Sequence, residues 1–255
     1  MARLQITKSK KFAGTPPRLS LPGEMVTDIR ENIARVEERI AAACRRSGRR
    51  RDDVKLVAVS KTHPPESIRA AYDAGLRDFG ENRVQEAKSK LQTLADLGAT
   101  WHLVGHLQSN KARVARELFH WVQSLDSLRL AEKLDQAAAP GVARLPVLME
   151  VNLGEETSKA GVRAGDVGIL AEQIARLETL ELRGLMVIPP FLKNQEDVRP
   201  FFRQLRALAG EIEARNLPHV SMHELSMGMS HDFEAAIEEG ATIVRIGTAI
   251  FGERT

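Results

Sequence analysis

The chain has 255 residues, 43% hydrophobic and 28% charged, and no apolar run approaches the roughly 20 residues that a membrane-spanning helix needs. Its opening MARLQITKSKK lacks the apolar stretch of an export signal, and the lone cysteine, Cys44, excludes an internal disulfide framework, so a reducing, cytoplasmic setting is expected. The net charge of +3 is unevenly spread: residues 1–53 carry 13 Lys and Arg against 7 Asp and Glu, so the rest is slightly acidic and neither nucleic acid nor membrane is expected as a partner.

Residues 1–24 hold Lys, Ser, Pro and Gly without periodicity and read as a disordered tail, with the folded body over 25–255 and Met25 as an alternative start. A helix follows, its apolar stripe formed by Ile29, Ile33, Val36, Ile40 and Ala43, with Thr27 or Asp28 able to cap its start and Gly48 able to end it. The basic stretch RRSGRRR at 45–51 reads as a solvated turn.

From Val54 onward strand and helix patterns alternate. The strand candidates are 55–60, 77–81, 100–105, 120–126, 146–153, 182–188, 221–227 and 242–247, each followed by a helix-like run except the last. Helical crossovers of this length force parallel pairing, and eight units predict a single α/β domain of the (β/α)8 TIM barrel type. An open doubly wound sheet is the competitor. Polar residues, however, fall at the carboxyl end of strand after strand: Lys61, Glu81-Asn82, Gly105-His106, Asp126, Asn152, Ser226 and Gly247-Thr248. An open sheet would gather them near one switch point.

The run VKLVAVSKTHP delivers Lys61 to the rim of the sheet. An amine held against an apolar wall loses hydration, which leaves more of it as the free base that attacks a carbonyl, the chemistry of a Schiff base. A solvated strand-end lysine is the plainer reading. Near the end of the chain, Ser226, Gly228 and Ser230 form a small hydroxyl-bearing turn, and Gly247-Thr248 forms another. Turns after the last two strands of a barrel are where phosphate is held, although ordinary capping would use the same residues. Arg245 stands among Ile243, Val244 and Ile246 and points either to the lumen or outward between helices. Facing inward, it completes a site for pyridoxal phosphate (PLP): aldehyde to Lys61, ring nitrogen to Arg245, phosphate to Ser226, Gly228, Gly247 and Thr248. No metal site or nucleotide motif is visible. A cofactor-free lysine aldolase acting on a sugar phosphate would share the same lysine and cradle.

The segments AVSKTHP, FGENRVQEA, WHLVGHLQSNK, RGLMVIPP, LSMGMSHDFEAAI and VRIGTAIFG together resemble the pyridoxal phosphate homeostasis family, relatives of the barrel domain of alanine racemase, over about residues 27–254. The resemblance implies a (β/α)8 barrel with PLP bound to Lys61 as a Schiff base and a role in vitamin B6 homeostasis, as a monomer passing the cofactor transiently to apo-enzymes, without an assigned turnover. It also implies Asn82 as a cofactor neighbour, Arg245 at the ring nitrogen, and Lys111 and Lys159 near the pocket. The alternative is a low-rate PLP-dependent amino-acid racemase. Against it, an arginine at the ring nitrogen makes a poorer electron sink than an aspartate, and the one tyrosine, Tyr72, falls in a helical run. His63, His106 and His223 are the candidate substitutes for a second base.

Overall fold

A strand in a parallel barrel is covered on both faces, so its sequence can be apolar throughout. The computed structural model describes residues 22–154 and 160–253, and in it the alternating pattern becomes nine strands. They are β1 (Lys55–Val59), β2 (Asp78–Glu81), β3 (Thr100–Leu103), β4 (Trp121–Leu125), β5 (Leu145–Asn152), β6 (Val162–Arg163), β7 (Leu180–Met186), β8 (Val220–Ser226) and β9 (Ile243–Ile246). Eight of them close a parallel barrel in the order β1-β2-β3-β4-β5-β7-β8-β9, with β9 pairing back onto β1 so that Arg245 lies beside Val57. The sequence did not mark β6, a two-residue strand that pairs with the end of β5 through Val151 and Val162.

Side chains alternate between two environments. Leu56 and Ala58 of β1 belong to the large apolar layer beneath the helices, whereas Val57 packs in the lumen with Trp121, Leu148, Met186 and Ile243. The outer layer is completed by α1 (Pro22–Arg46), α2 (Pro65–Asp73), α3 (Val84–Thr93), α4 (Ala112–Leu118), α5 (Leu128–Gln136), α6 (Val167–Ile174), α7 (Arg199–Glu213), α8 (Phe233–Glu238) and the single-turn α9 (Thr248–Phe251). In α7 the buried residues Phe202, Leu205, Ala209 and Ile212 recur at helical spacing, and burying a side chain the size of Phe202 contributes roughly 1.5–3 kcal/mol.

Helix α1 begins before Met25, so positions 27 and 28 lie within the helix and not at its start; the expected tail lies, up to residue 21, outside the described residues. The stripe Ile29, Ile33, Val36, Ile40 and Ala43 is buried as its spacing predicts, and the helix packs across α2, α8 and α9 over the seam where β9 meets β1. Asn32 Nδ2 donates to the Ile250 carbonyl at 2.9 Å, tying the first helix to the last.

The base of the lumen is polar. Lys55 Nζ lies 5.2 Å from the centre of the Trp121 ring and 3.7 Å from Asp78, and the Arg183 guanidinium sits 5.6 Å from the same ring. Among the described residues, no helix is long and apolar enough to cross a membrane.

Candidate functional site

A cavity of about 280 Å³ opens at the carboxyl ends of the strands, at the small end of the range of ligand pockets. Lys61 after β1, Asn82 after β2, Arg245 on β9, and Gly247 and Thr248 at the start of α9 all line it. A larger cleft of about 700 Å³ lies between the ends of α4 and α5, away from these strand ends; it is lined by Phe119, Gln136 and Arg144 among others and contains no lysine.

The backbone around Lys61 is held from outside the barrel. Thr62, the next residue, has a φ of +66°, a left-handed conformation that costs a β-branched residue about 1–3 kcal/mol. Its N–H donates to Glu86 Oε1 at 2.5 Å, and Glu86 in turn lies 2.7 Å from Lys90 Nζ. Lys90 also donates to the Ser60 carbonyl and to Glu81 Oε1, both at 2.9 Å, while Ser60 Oγ donates to Glu81 Oε1 at 2.7 Å. Burial pushes the Glu81 carboxyl up against the opposing pull of Lys90, and its Oε2 has no partner among the described residues. Glu81, legible only as a polar residue at a strand end, thus faces the helix layer and anchors the turn that carries Lys61.

Arg245 points into the lumen. It is 4% exposed, its Nη1 donates to Ser226 Oγ at 2.5 Å and its Nη2 donates to the Val187 carbonyl at 2.8 Å. Burial pushes its pKa down to about 10, and the nearby charges of Glu150 and Asp232 oppose that, so it keeps its charge at neutral pH. Both carboxyls are themselves pushed up by burial. Asp232 Oδ1 accepts from the Met229 N–H at 2.6 Å and fixes the turn whose Met229, Ser230 and His231 line the cavity.

The glycines have different reasons. A Cβ on Gly247 would lie 3.1 Å from the Val59 carbonyl, so this glycine lets β9 end close beside the strand that bears Lys61. Gly228, at a φ of +93°, would direct a Cβ to within 2.6 Å of Ala236 Cβ; it packs against α8 behind the cavity wall. Ser226, fully buried, likewise stands behind the wall, accepting from Arg245 and donating to Gln123 Oε1 at 2.6 Å. Lys111 ends the turn before α4 and is not among the cavity residues, and Lys159 lies outside the described residues. Tyr72 is on the outer helix α2, half-buried, with the Arg77 guanidinium 4.0 Å above its ring. His63 stacks on Phe251, His106 lies 3.1 Å from Asp126 and His223 is exposed on β8; none of the three lines the cavity. Sequence reasoning missed Phe191, 80% exposed at the rim, and His231, whose ring centre lies 5.1 Å from that of Phe191.

A closed parallel barrel with a lysine at the end of its first strand and an arginine on its last defines a class: the alanine racemase N-terminal domain family matches residues 29–255. An alanine racemase from Clostridium difficile superposes with a TM-score of 0.68 over 89% of this chain and 57% of its own, at 13% identity, a likeness of fold alone. Much nearer is a pyridoxal phosphate homeostasis protein of Aquifex aeolicus, 48% identical over 224 residues that span 88% of this chain and 97% of that one. PipY of Synechococcus elongatus PCC7942, crystallised with PLP bound, superposes with a TM-score of 0.77 at 43% identity over 88% of this chain and all of its own. The chain belongs to the pyridoxal phosphate homeostasis protein family.

Proposed function

We propose that this protein binds PLP in the cavity at the carboxyl ends of the strands, holding it as a Schiff base on Lys61 and releasing it to other proteins, without a turnover of its own. One observation carries the reading: an amine just after β1 and a buried guanidinium on its partner β9 line the same small cavity, and among the described residues the guanidinium meets only neutral acceptors at hydrogen-bond range. The donor set fits the cofactor. Lys61 is the nucleophile for an aldehyde, condensing with loss of water; Arg245 offers N–H donors to a ring nitrogen; Thr248 and Ser230 offer hydroxyls to a phosphate. Ser226 and Gly228, grouped in the sequence with the phosphate cradle, support it from behind.

Bound PLP supplies an aldehyde and an aromatic ring able to withdraw electrons, and this chain's residues restrain the second property. An arginine beside the ring nitrogen keeps protons off it, which suits storage better than bond breaking. Racemisation also needs a second proton-transfer group across from the lysine. His231 is on the cavity wall, but its ring is engaged with the Leu192 carbonyl at 3.2 Å and packed beside Phe191. The single thiol, Cys44, is buried, consistent with the reducing cytoplasm where we place this role.

Borohydride reduction of the PLP-loaded protein, followed by peptide mass mapping, is expected to give a pyridoxyl adduct on Lys61 that is absent from Lys61→Ala. An adduct elsewhere, with Lys61 unmodified, overturns the assignment. Steady release of product from an amino acid would favour the racemase alternative.

A further inference from the structure

An unbroken line of polar side chains runs through the lumen. Asp78 Oδ1 lies 2.8 Å from His102 Nε2, and His102 Nδ1 lies 3.0 Å from Gln123 Nε2. Gln123 Oε1 accepts from Ser226 Oγ at 2.6 Å, and Ser226 Oγ accepts from Arg245 Nη1 at 2.5 Å. Gln123 is on β4 and Ser226 on β8, strands that are not neighbours in the sheet, so this contact crosses the barrel interior. His102, Gln123 and Ser226 are each wholly buried.

Arginine fixes the direction of the whole chain because it can only donate. Ser226 accepts from it, so the one hydroxyl proton goes to the Gln123 carbonyl oxygen. The Gln123 amide then turns its NH2 to His102, whose Nδ1 must accept, and the imidazole proton stands on Nε2 facing the Asp78 carboxylate. Turning the amide over breaks two links. Ser226 would receive two donors and lose its own acceptor, and His102 would need protons on both nitrogens while wholly buried, where burial holds its pKa low.

We propose that Asp78, His102, Gln123 and Ser226 are positioning residues that lock the Arg245 guanidinium in the orientation which meets the cofactor ring. The idea rests on the PLP reading of the cavity, and the line begins at the opposite end of the lumen, where Asp78 is also 3.7 Å from Lys55. Through it, side chains that never touch the ligand decide which N–H of Arg245 is spent on the protein and which faces the cavity.

The test compares the full chain with Gln123→Leu and Gln123→Glu. In 15N-labelled protein without cofactor, His102 is expected as the neutral Nε2–H tautomer. Gln123→Leu is expected to weaken PLP binding about tenfold and to change the absorbance spectrum of the bound cofactor, which a merely structural loss would not move. Gln123→Glu, whose carboxylate still accepts from Ser226 and also accepts a hydrogen bond from a His102 Nδ1–H, is expected to recover most of the affinity and to show a doubly protonated ring. If Gln123→Leu does not fold, Ser226→Ala, smaller by one oxygen, carries the same expectation for affinity and spectrum. An Nδ1–H tautomer in the wild type, or a folded Gln123→Leu that binds within about twofold and keeps the spectrum, overturns the relay. Failure of the wild type to take up PLP would sink the proposed function, while the tautomer in the cofactor-free protein would still decide the relay.

Discussion

Lys90 and Arg245 are both buried, 7% and 4% exposed, yet they are neutralised differently. Lys90, on the outer face of the barrel, meets Glu86 at 2.7 Å, Glu81 at 2.9 Å and a backbone carbonyl. Arg245, inside, meets a hydroxyl and a carbonyl, with no carboxylate within 4 Å among the described residues; Glu150 and Asp232 act on it only through space. A cation whose charge is matched at contact has nothing left for a ligand, and its loss shows in stability. A cation held by neutral groups retains most of its field, and its loss shows in binding.

The largest effect expected is on the matched pair. Lys90→Met strands Glu81 without its cation, and urea unfolding is expected to show a loss of about 3–5 kcal/mol, with a smaller change in PLP affinity than in stability. Arg245→Gln reverses that order: PLP affinity in an absorbance titration falls about 10–100-fold, the cost of a hydrogen bond to a charged group, while the fold persists. If the two substitutions exchange their signatures, the contrast between them is wrong.

A third outcome sharpens the picture of the lumen through pH. Burial lowers the His102 pKa below the ordinary 6.5, so the unfolded chain takes up a proton that the folded chain refuses. The stability from this group is whole above about pH 6.5 and drains away as pH falls toward the depressed value, by at most about 1.4 kcal/mol per unit. His102→Gln is expected to flatten that part of a stability-against-pH curve. The smallest effect belongs to the surface: Arg39 lies 2.8 Å from Glu234, linking α1 to α8, but its side chain is 43% exposed, and Arg39→Ala should cost less than about 1 kcal/mol in thermal unfolding.

The barrel was legible because strand and helix periods alternate and the polar residues ring the carboxyl ends. Family motifs supplied the name of the class, and the run ending in AVSK marked Lys61 without them. The direction of Arg245 was not legible. Both faces of a barrel strand are apolar, so the neighbours Ile243, Val244 and Ile246 look alike whether they face the lumen or the helices. His102 and Gln123 were hidden for the same reason, each embedded in a strand whose other residues are mostly apolar, although in TWHLVG the alternation of Trp101 and Leu103 with His102 was the available signal. Ser226 and Gly228 read as part of a ligand turn because spacing in sequence does not show that neither lines the cavity. The pairing of Glu81 with Lys90 joins a strand to a helix and leaves no mark in one dimension, so Glu81 was legible as a polar strand end but its partner was not.

One consequence follows from β9 closing against β1. The turn that carries Lys61 follows the first of the barrel strands to be synthesised, and Arg245 lies on the last of them. Until β9 has been made, no nascent chain can close the barrel, and the cavity beside Lys61 lacks the wall that Arg245 provides.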